Sequence, residues 1–440
     1  MHQFRKLTSK QYQQLGHEFF WIGLGQALAT LGSLVGVRLL TGALSPEVYG
    51  ELALGLTLAT LLNQVLLGPL SGAALRFFAP AREANELGAF LTGLRRLLSK
   101  ATGIVGLAAV VAALALWLAG QIHWLGLGAT ALGYALLSGY NATLNSLQNA
   151  ARQRTIVAWH QALYAWAYPL TAMGLVRWLG VSSATAMLGY MSSMALVIIS
   201  QLWFFRRVTW PVAETARGGS GGRNAWEARL FTYAWPFATW GIFTWAQMSS
   251  DRWGLQMFGA TQEVGLYAVV YQLGYNPITI LTGLMVQLVA PVLFQRAGDA
   301  SDTERVKQVH IINWRLTMGA LLLTGMATLG ALGLHRLVFQ WLVAPDYREV
   351  SWLLPGMVMA GGLFATGQFA TISLLSDVKT RHLIAPKIVA ALIGVLLNLI
   401  GAIGWGITGV VGAGIIANAI YLVWILWLVR KQRLQIQATG

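Results

Sequence analysis

The chain contains no cysteine in 440 residues. That excludes disulfides, thiolate nucleophiles and cysteine-ligated metal sites, and leaves the compartment open. Charge is scarce as well: charged residues are 10% of the sequence, against roughly 25% in soluble proteins. Hydrophobic residues are 56%. In water such a chain would expose more apolar surface than a soluble protein tolerates. A bilayer removes the conflict, because lipid is then the solvent. Nucleotide-binding motifs, metal-ligand clusters and nucleophile triads are missing too, so the expectation is a non-enzyme with no cofactor and no metal site. The net charge of +15 suggests nucleic acid at first sight. Its placement points to membrane topology instead, and no nucleic-acid partner is expected.

What is present is a series of uncharged apolar runs, each near the ~20 residues needed to cross hydrocarbon. They predict helices at 19–41, 49–70, 101–120, 125–149, 156–176, 182–205, 230–250, 264–293, 312–334, 350–375, 383–403 and 407–429. The stretch 388–429 carries no charge and is too long for one crossing; it is divided where Gly401, Gly404, Gly406, Gly409 and Gly412 cluster. The start, MHQFRKLTSKQYQQLGHEFF, shows no cleavable signal, so the first run is read as a retained helix. The polar stretch 206–229, with RGGSGGRN, reads as a flexible linker. It divides the chain into an N-terminal six-helix lobe at 1–205 and a C-terminal one at 230–440.

With the N-terminus inside, 25 of the 30 Lys and Arg residues fall in inside segments. The outside set is Arg38, Arg177, Arg252, Arg336 and Arg348. One missed or invented helix would invert every later loop, so the asymmetry supports twelve crossings with both termini cytoplasmic.

The halves resemble each other. RLLTGALSPEVYGELAL begins at Arg38, and RWGLQMFGATQEVGLYAVV begins at Arg252. Each opens with an arginine at the outer end of its half's first helix. A turn with Glu47 or Glu263 follows, and Gly50 or Gly265 opens the next helix. Pro69 has a partner in Pro291. Six crossings per half make this a parallel repeat about an axis along the membrane normal. Such halves imply a central cavity between them. Rocking would open it first to one side and then to the other, which is alternating access.

At these residues the sequence resembles a known family. RLLTGALSPEVYGELALGLTLATLL is similar to the helix 1–2 signature of bacterial polysaccharide-biosynthesis flippases. YAWPFATWGIFTWAQMSSDRWGLQMFGATQEVGLYAVVYQL resembles their second-half pattern, and PDYREVSWLLPGMV and GITGVVGAGIIANAIYLV resemble their closing helices. The resemblance implies a multidrug-and-toxin-extrusion-like fold of twelve helices in two lobes. It also implies transport of an undecaprenyl-pyrophosphate-linked oligosaccharide to the outer leaflet of the bacterial inner membrane, for surface polysaccharide. Expected partners are that lipid-linked oligosaccharide, membrane lipids and other polysaccharide assembly proteins.

A lipid-linked sugar joins an anionic pyrophosphate, a polar glycan and a prenyl tail. Its headgroup needs a wet, cationic path, because polar groups unsatisfied in lipid cost several kcal/mol each. Arg38 and Arg252 are the candidate phosphate ligands, since a guanidinium forks onto two oxygens. Each could instead snorkel to the interface, and Arg252 could pair with Asp251. Asp251 and Glu51 are candidate sites for coupling to an H+ or Na+ gradient. Against this, Asp251 can serve as a structural partner of arginine and Glu51 as helix-start chemistry. Ser45 reads as an N-cap and Pro46 as the first helical residue. Asn141, Asn145, Gln148 and Asn149 share one face of the fourth helix, as sugar ligands or as interhelical glue. Asn63 and Gln64 add amides to the second helix, and Gln272 and Asn276 to the eighth. Trp240 is the candidate for stacking on a sugar, although interfacial belts explain most membrane tryptophans.

Two rival readings remain. A cation-coupled multidrug exporter of the same superfamily would be expected to hold acidic cavity residues, which are scarce here. A membrane glycosyltransferase or polymerase would need a larger extramembrane region than the short outside segments supply.

Overall fold

The structure is a computed structural model that describes residues 9–213, 220–297, 303–376 and 384–438. Among these residues it is helical with no strand. The helices are α1 (Ser9–Ala43), α2 (Pro46–Leu62), α3 (Gly68–Glu83), α4 (Leu87–Leu118), α5 (His123–Ala150) and α6 (Arg154–Leu179). They continue as α7 (Ser183–Ala213), α8 (Ser220–Phe258), α9 (Thr261–Ala297), α10 (Thr303–Leu342), α11 (Leu354–Ser376) and α12 (Ile384–Ala438). A π-helical turn, Asn63–Leu67, joins α2 to α3 in one continuous rod, and a 3-10 segment, Pro345–Leu353, precedes α11. α12 is two helices joined at Gly406, whose φ of 55° and ψ of −135° break the helical path. Across the break, Gly401 and Gly409 pack backbone to backbone, with 2.5 Å between a Cβ built on Gly401 and the Gly409 carbonyl oxygen. The rod counts once and α12 twice, so the elements make twelve crossings, as the apolar runs predict.

The helices overrun the predicted spans because hydropathy marks lipid, while helix continues into water. α8 has 39 residues, about 58 Å at 1.5 Å per residue, nearly twice the ~30 Å hydrocarbon thickness. The linker expected at 206–229 is helical over 206–213 and 220–229, and 214–219 lie outside the described residues. The side-chain surroundings of Pro291 are outside them too.

By length and composition, seven helical stretches among the described residues are apolar enough to cross a membrane, the double helix in α12 counting as one. α5, α6, α8 and α9 fall short. Those four hold most of the amides, tyrosines and paired charges described below. Conversely, α4 and α10 expose rows of Leu, Ile and Val, such as Leu107, Val110 and Leu114, or Leu322, Leu329 and Leu332. Lipid is the solvent that suits such a surface.

The chain forms two compact units. Unit 1 comprises Met1–Ala43 and Gly55–Trp245; unit 2 comprises Leu44–Leu54 and Ala246–Gly440. The start of α2 therefore belongs to unit 2, and the first part of α8 to unit 1. Within unit 1 the water-side end of α8 docks on α3 and α4. Trp226 is buried against Phe90, donates its indole N–H to Glu86 Oε2 at 2.8 Å, and Glu227 pairs with Lys100. Within unit 2 the starts of α2 and α9 cross at Gly50 and Gly265. A Cβ on Gly265 would stand 1.9 Å from the Pro46 carbonyl oxygen, so only glycine lets these backbones meet. Ser45 sits at the α2 N-terminus, its Oγ 3.4 Å from the Val48 N–H. Tyr347 donates to the Leu44 carbonyl oxygen at 2.8 Å and meets the Tyr49 ring edge-on, fastening the same segment.

Candidate functional site

In unit 2, α8 carries the Ser-Ser-Asp-Arg sequence at 249–252. Helical spacing aims Asp251 at α9, where Tyr267 donates its hydroxyl to Asp251 Oδ2 at 2.6 Å. Asp251 Oδ1 accepts the Arg252 backbone N–H at 2.7 Å and lies 3.4 Å from Arg252 Nη1. That same nitrogen donates to the Met248 carbonyl at 3.2 Å. The guanidinium carbon stands 4.4 Å from the centre of the Tyr271 ring and 5.8 Å from that of Tyr267. Both charges are largely buried, with side-chain exposures of 13% for Arg252 and 7% for Asp251. A buried pair survives only when further hydrogen bonds complete it, and the tyrosines and backbone do so here. Asn398 of α12 donates to Ser250 Oγ at 2.9 Å and fixes the same turn. Tyr271 stacks on Tyr275 at 4.8 Å, and Tyr275, Phe364 and Tyr421 continue the aromatic path through α11 to α12. Asn276 donates to Gln272 Oε1 one turn away on α9.

In unit 1 the arginine at the repeat-related place, Arg38, is exposed. The residue before it is Val37, buried, where unit 2 has Asp251. A tyrosine cluster lies in unit 1 as well, on α5, α6 and α7. Tyr168 of α6 packs its hydroxyl over Gly36, Tyr168 and Tyr190 rings lie 4.5 Å apart, and Tyr164 donates to Tyr134 at 2.9 Å. Glu51, in the segment of α2 that belongs to unit 2, is half-buried.

The amide stripe of α5 divides. Asn141 Nδ2 donates to Gln201 Oε1 at 2.7 Å, Gln201 Nε2 donates to Asn145 Oδ1 at 2.7 Å, and Asn145 Nδ2 donates to Asn141 Oδ1 at 3.0 Å. This closed ring joins α5 to α7 and satisfies the three residues among themselves, the behaviour of interhelical glue. Gln148 is fully buried, and neither side-chain atom has a partner. Asn149 is half-buried. Trp240 lies elsewhere in unit 1, on the wall of a cavity between α8 and the π turn. Among the described residues no group of three His, Asp or Glu side chains is placed to hold a metal.

The sequence profile described as "Polysaccharide biosynthesis protein" matches residues 15–296, well over half of the chain. The chain belongs to that family. No curated protein matches it by sequence. Among solved structures, it is similar to lipid II flippase MurJ in an inward closed conformation, at 13% identity and a TM-score of 0.68, covering 95% of this chain and 89% of that one. It is also similar to an inward-facing multidrug resistance MATE family transporter of the MOP superfamily, at 14% identity and a TM-score of 0.65, covering 94% and 96%. A Vibrio cholerae MATE transporter, VcmN, matches at 14% identity and a TM-score of 0.54, over 96% and 98%. At these identities the likeness shows the fold, and with the apolar helices described above this polysaccharide biosynthesis protein is a multi-pass membrane protein with the fold of those transporters.

Reasoning from sequence picked out Asp251 and Arg252 in this family member but missed Tyr267 and Tyr271, which complete the pair. Their signal is a tyrosine every fourth residue, at 267, 271 and 275. Gln201 was missed as well, because it stands alone among apolar residues 56 positions from Asn145.

Proposed function

We propose that this chain is a flippase. It moves an undecaprenyl-pyrophosphate-linked oligosaccharide from the cytoplasmic to the outer leaflet of the bacterial inner membrane by alternating access, with both termini cytoplasmic. The family match supports the polysaccharide context and the transporter fold supports movement across the membrane. The observation that carries the reading is Arg252, a cation held at low exposure on a membrane helix by one carboxylate and two tyrosine faces. Charge inside a membrane is expensive and is retained for function.

The chemistry follows from that arrangement. A pyrophosphate would compete with Asp251 for the guanidinium fork, and Tyr267 would keep Asp251 hydrogen-bonded during the exchange. Protonation of Asp251 would favour the handover, which makes Asp251 the candidate for coupling to a proton gradient; Glu51 is the second candidate. Arg38 would supply the other phosphate contact. No bond is made or broken in the cargo, so no catalytic residue is assigned. Other polysaccharide assembly proteins would receive the flipped unit.

The test is deletion of the gene in its host, with surface glycan and inner-membrane lipid-linked oligosaccharide measured together. Loss of surface glycan with lipid-linked units accumulating on the cytoplasmic side is expected. Arg252→Ala, correctly inserted, should fail to restore export. Unchanged glycan with altered sensitivity to cationic drugs would replace the flippase by a multidrug exporter.

A further inference from the structure

The rod formed by α2 and α3 is interrupted by one residue too many for an α-helix. Gly68 donates its backbone N–H to the Asn63 carbonyl, five residues back, and Pro69 has no N–H to give. The Gln64 carbonyl thereby loses the donor that an α-helix would supply. Two glycines pinch the turn. A Cβ on Gly241 of α8 would stand 2.2 Å from the Gln64 carbonyl oxygen, and one on Gly139 of α5 2.2 Å from Leu67 Cδ1. Asn63 anchors it by donating to Ser138 Oγ at 2.8 Å. The turn is thus a fixed feature of unit 1.

Beside it lies a cavity of about 290 Å³, lined by Gln64, Gly68, Pro69 and Gly72 on one side and by Tyr233, Phe237, Trp240 and Gly241 on the other. Tyr233, Phe237 and Trp240 repeat at helical spacing and form a wall of rings. Tyr233 is held in place by Phe77 and Phe237, each 5.3 Å away. The opposite wall is nearly bare backbone, and a Cβ on Gly72 would meet nothing within 4 Å. Gln64 and Tyr233 bring a carboxamide and a phenol hydroxyl to the lining. No charged group lines the cavity.

We infer that this cavity is a subsite for one neutral sugar ring of the cargo. The inference rests on the flippase reading and extends it from the pyrophosphate to the glycan. An uncharged ring with an apolar C–H face and a rim of hydroxyls matches flat aromatic rings beside an amide and a hydroxyl. The volume sits at the lower edge of the ~300–1,000 Å³ range of small-molecule pockets, the size of one ring rather than a chain. A prenyl tail would offer Gln64 and Tyr233 no hydrogen bond, and a phosphate would find no cation.

The test uses the full chain in lipid nanodiscs and two kinds of probe: farnesyl pyrophosphate, and farnesyl pyrophosphate carrying N-acetylglucosamine, glucose or galactose. At least one sugar-bearing probe should bind about tenfold more tightly than the bare one, the scale of one or two hydrogen bonds with stacking. Gln64→Ala, Trp240→Ala and Gly72→Leu should each remove most of that gain and leave farnesyl pyrophosphate binding unchanged. Gly72→Leu fills open space, so it tests the cavity in a protein whose melting temperature can be matched to wild type. If all sugar-bearing probes bind no better than the bare one, or the variants weaken both kinds equally, the subsite is overturned while the flippase reading stands. If wild type binds neither kind, both fall.

Discussion

The two repeat-related arginines differ in what precedes them. Arg252 follows Asp251 and is tied down by it, by Tyr267 and by Tyr271. Arg38 follows a buried valine and is exposed. The cation recurs in both halves, and in unit 2 a carboxylate directly precedes it. Arg252 is therefore preorganised and must loosen from Asp251 to take an anion, whereas Arg38 is exposed. Tyr267 and Tyr271 lie against Arg252 in unit 2, and in unit 1 Tyr168 reaches Gly36, two residues before Arg38.

That contrast can be broken first by giving α8 the pattern of α1. Asp251→Val should leave a buried guanidinium unpaired, a loss of about 3–5 kcal/mol. It should appear as a large fall in melting temperature and as lost export. The next step removes the cations singly. Arg252→Ala should weaken farnesyl pyrophosphate binding about tenfold to a hundredfold, the range for charge-assisted hydrogen bonds. Arg38→Ala should fall at the lower end, since an exposed cation is screened. Giving α1 the pattern of α8, Val37→Asp, should weaken the same binding about tenfold by setting a carboxylate directly before Arg38 in the chain; unchanged binding would remove Arg38 from the phosphate path. Tyr271→Leu removes a cation–π contact worth about 2 kcal/mol at a desolvated site, and should loosen Arg252 and lower the melting temperature. The amide ring supplies a control. Asn145→Leu should cost about 1 kcal/mol of stability and leave the binding constants alone.

Much of the fold was legible because lipid imposes a simple rule, that each crossing needs a long uncharged run. The charges at the ends of those runs then set the count. Even the break in α12 was visible as a cluster of glycines, and the structure uses Gly406 for the turn and Gly401 and Gly409 for the close approach. The repeat was legible at Gly50 and Gly265, although not that these two glycines touch. What could not be read are partnerships formed across space. Asn141 and Asn145 looked as much like sugar ligands as glue, since Gln201, which completes their ring, lies on another helix. The assignment of the segment 44–54 to unit 2 rests on Gly265 and Tyr347, both more than 200 positions away. The π turn had a local signal in the Gly68–Pro69 pair, but proline also permits a simple kink, and sequence does not choose between them.

The π turn also changes what a small deletion would mean. Each residue of an α-helix turns the chain by about 100°. Removing one residue between Asn63 and Leu67 would restore ordinary helix and barely shorten the rod. In an unbroken helix such a loss would swing everything beyond it by nearly a third of a circle; here Gly68 would keep its bond to the Asn63 carbonyl, four residues back instead of five, and Gly68–Glu83 would hold its phase. Pro69 and Gly72 would stay at the cavity, and Phe78 against Phe90. The extra residue is therefore slack taken up in one turn: it leaves the Gln64 carbonyl without its helical donor and does not change which side of the helix faces α8.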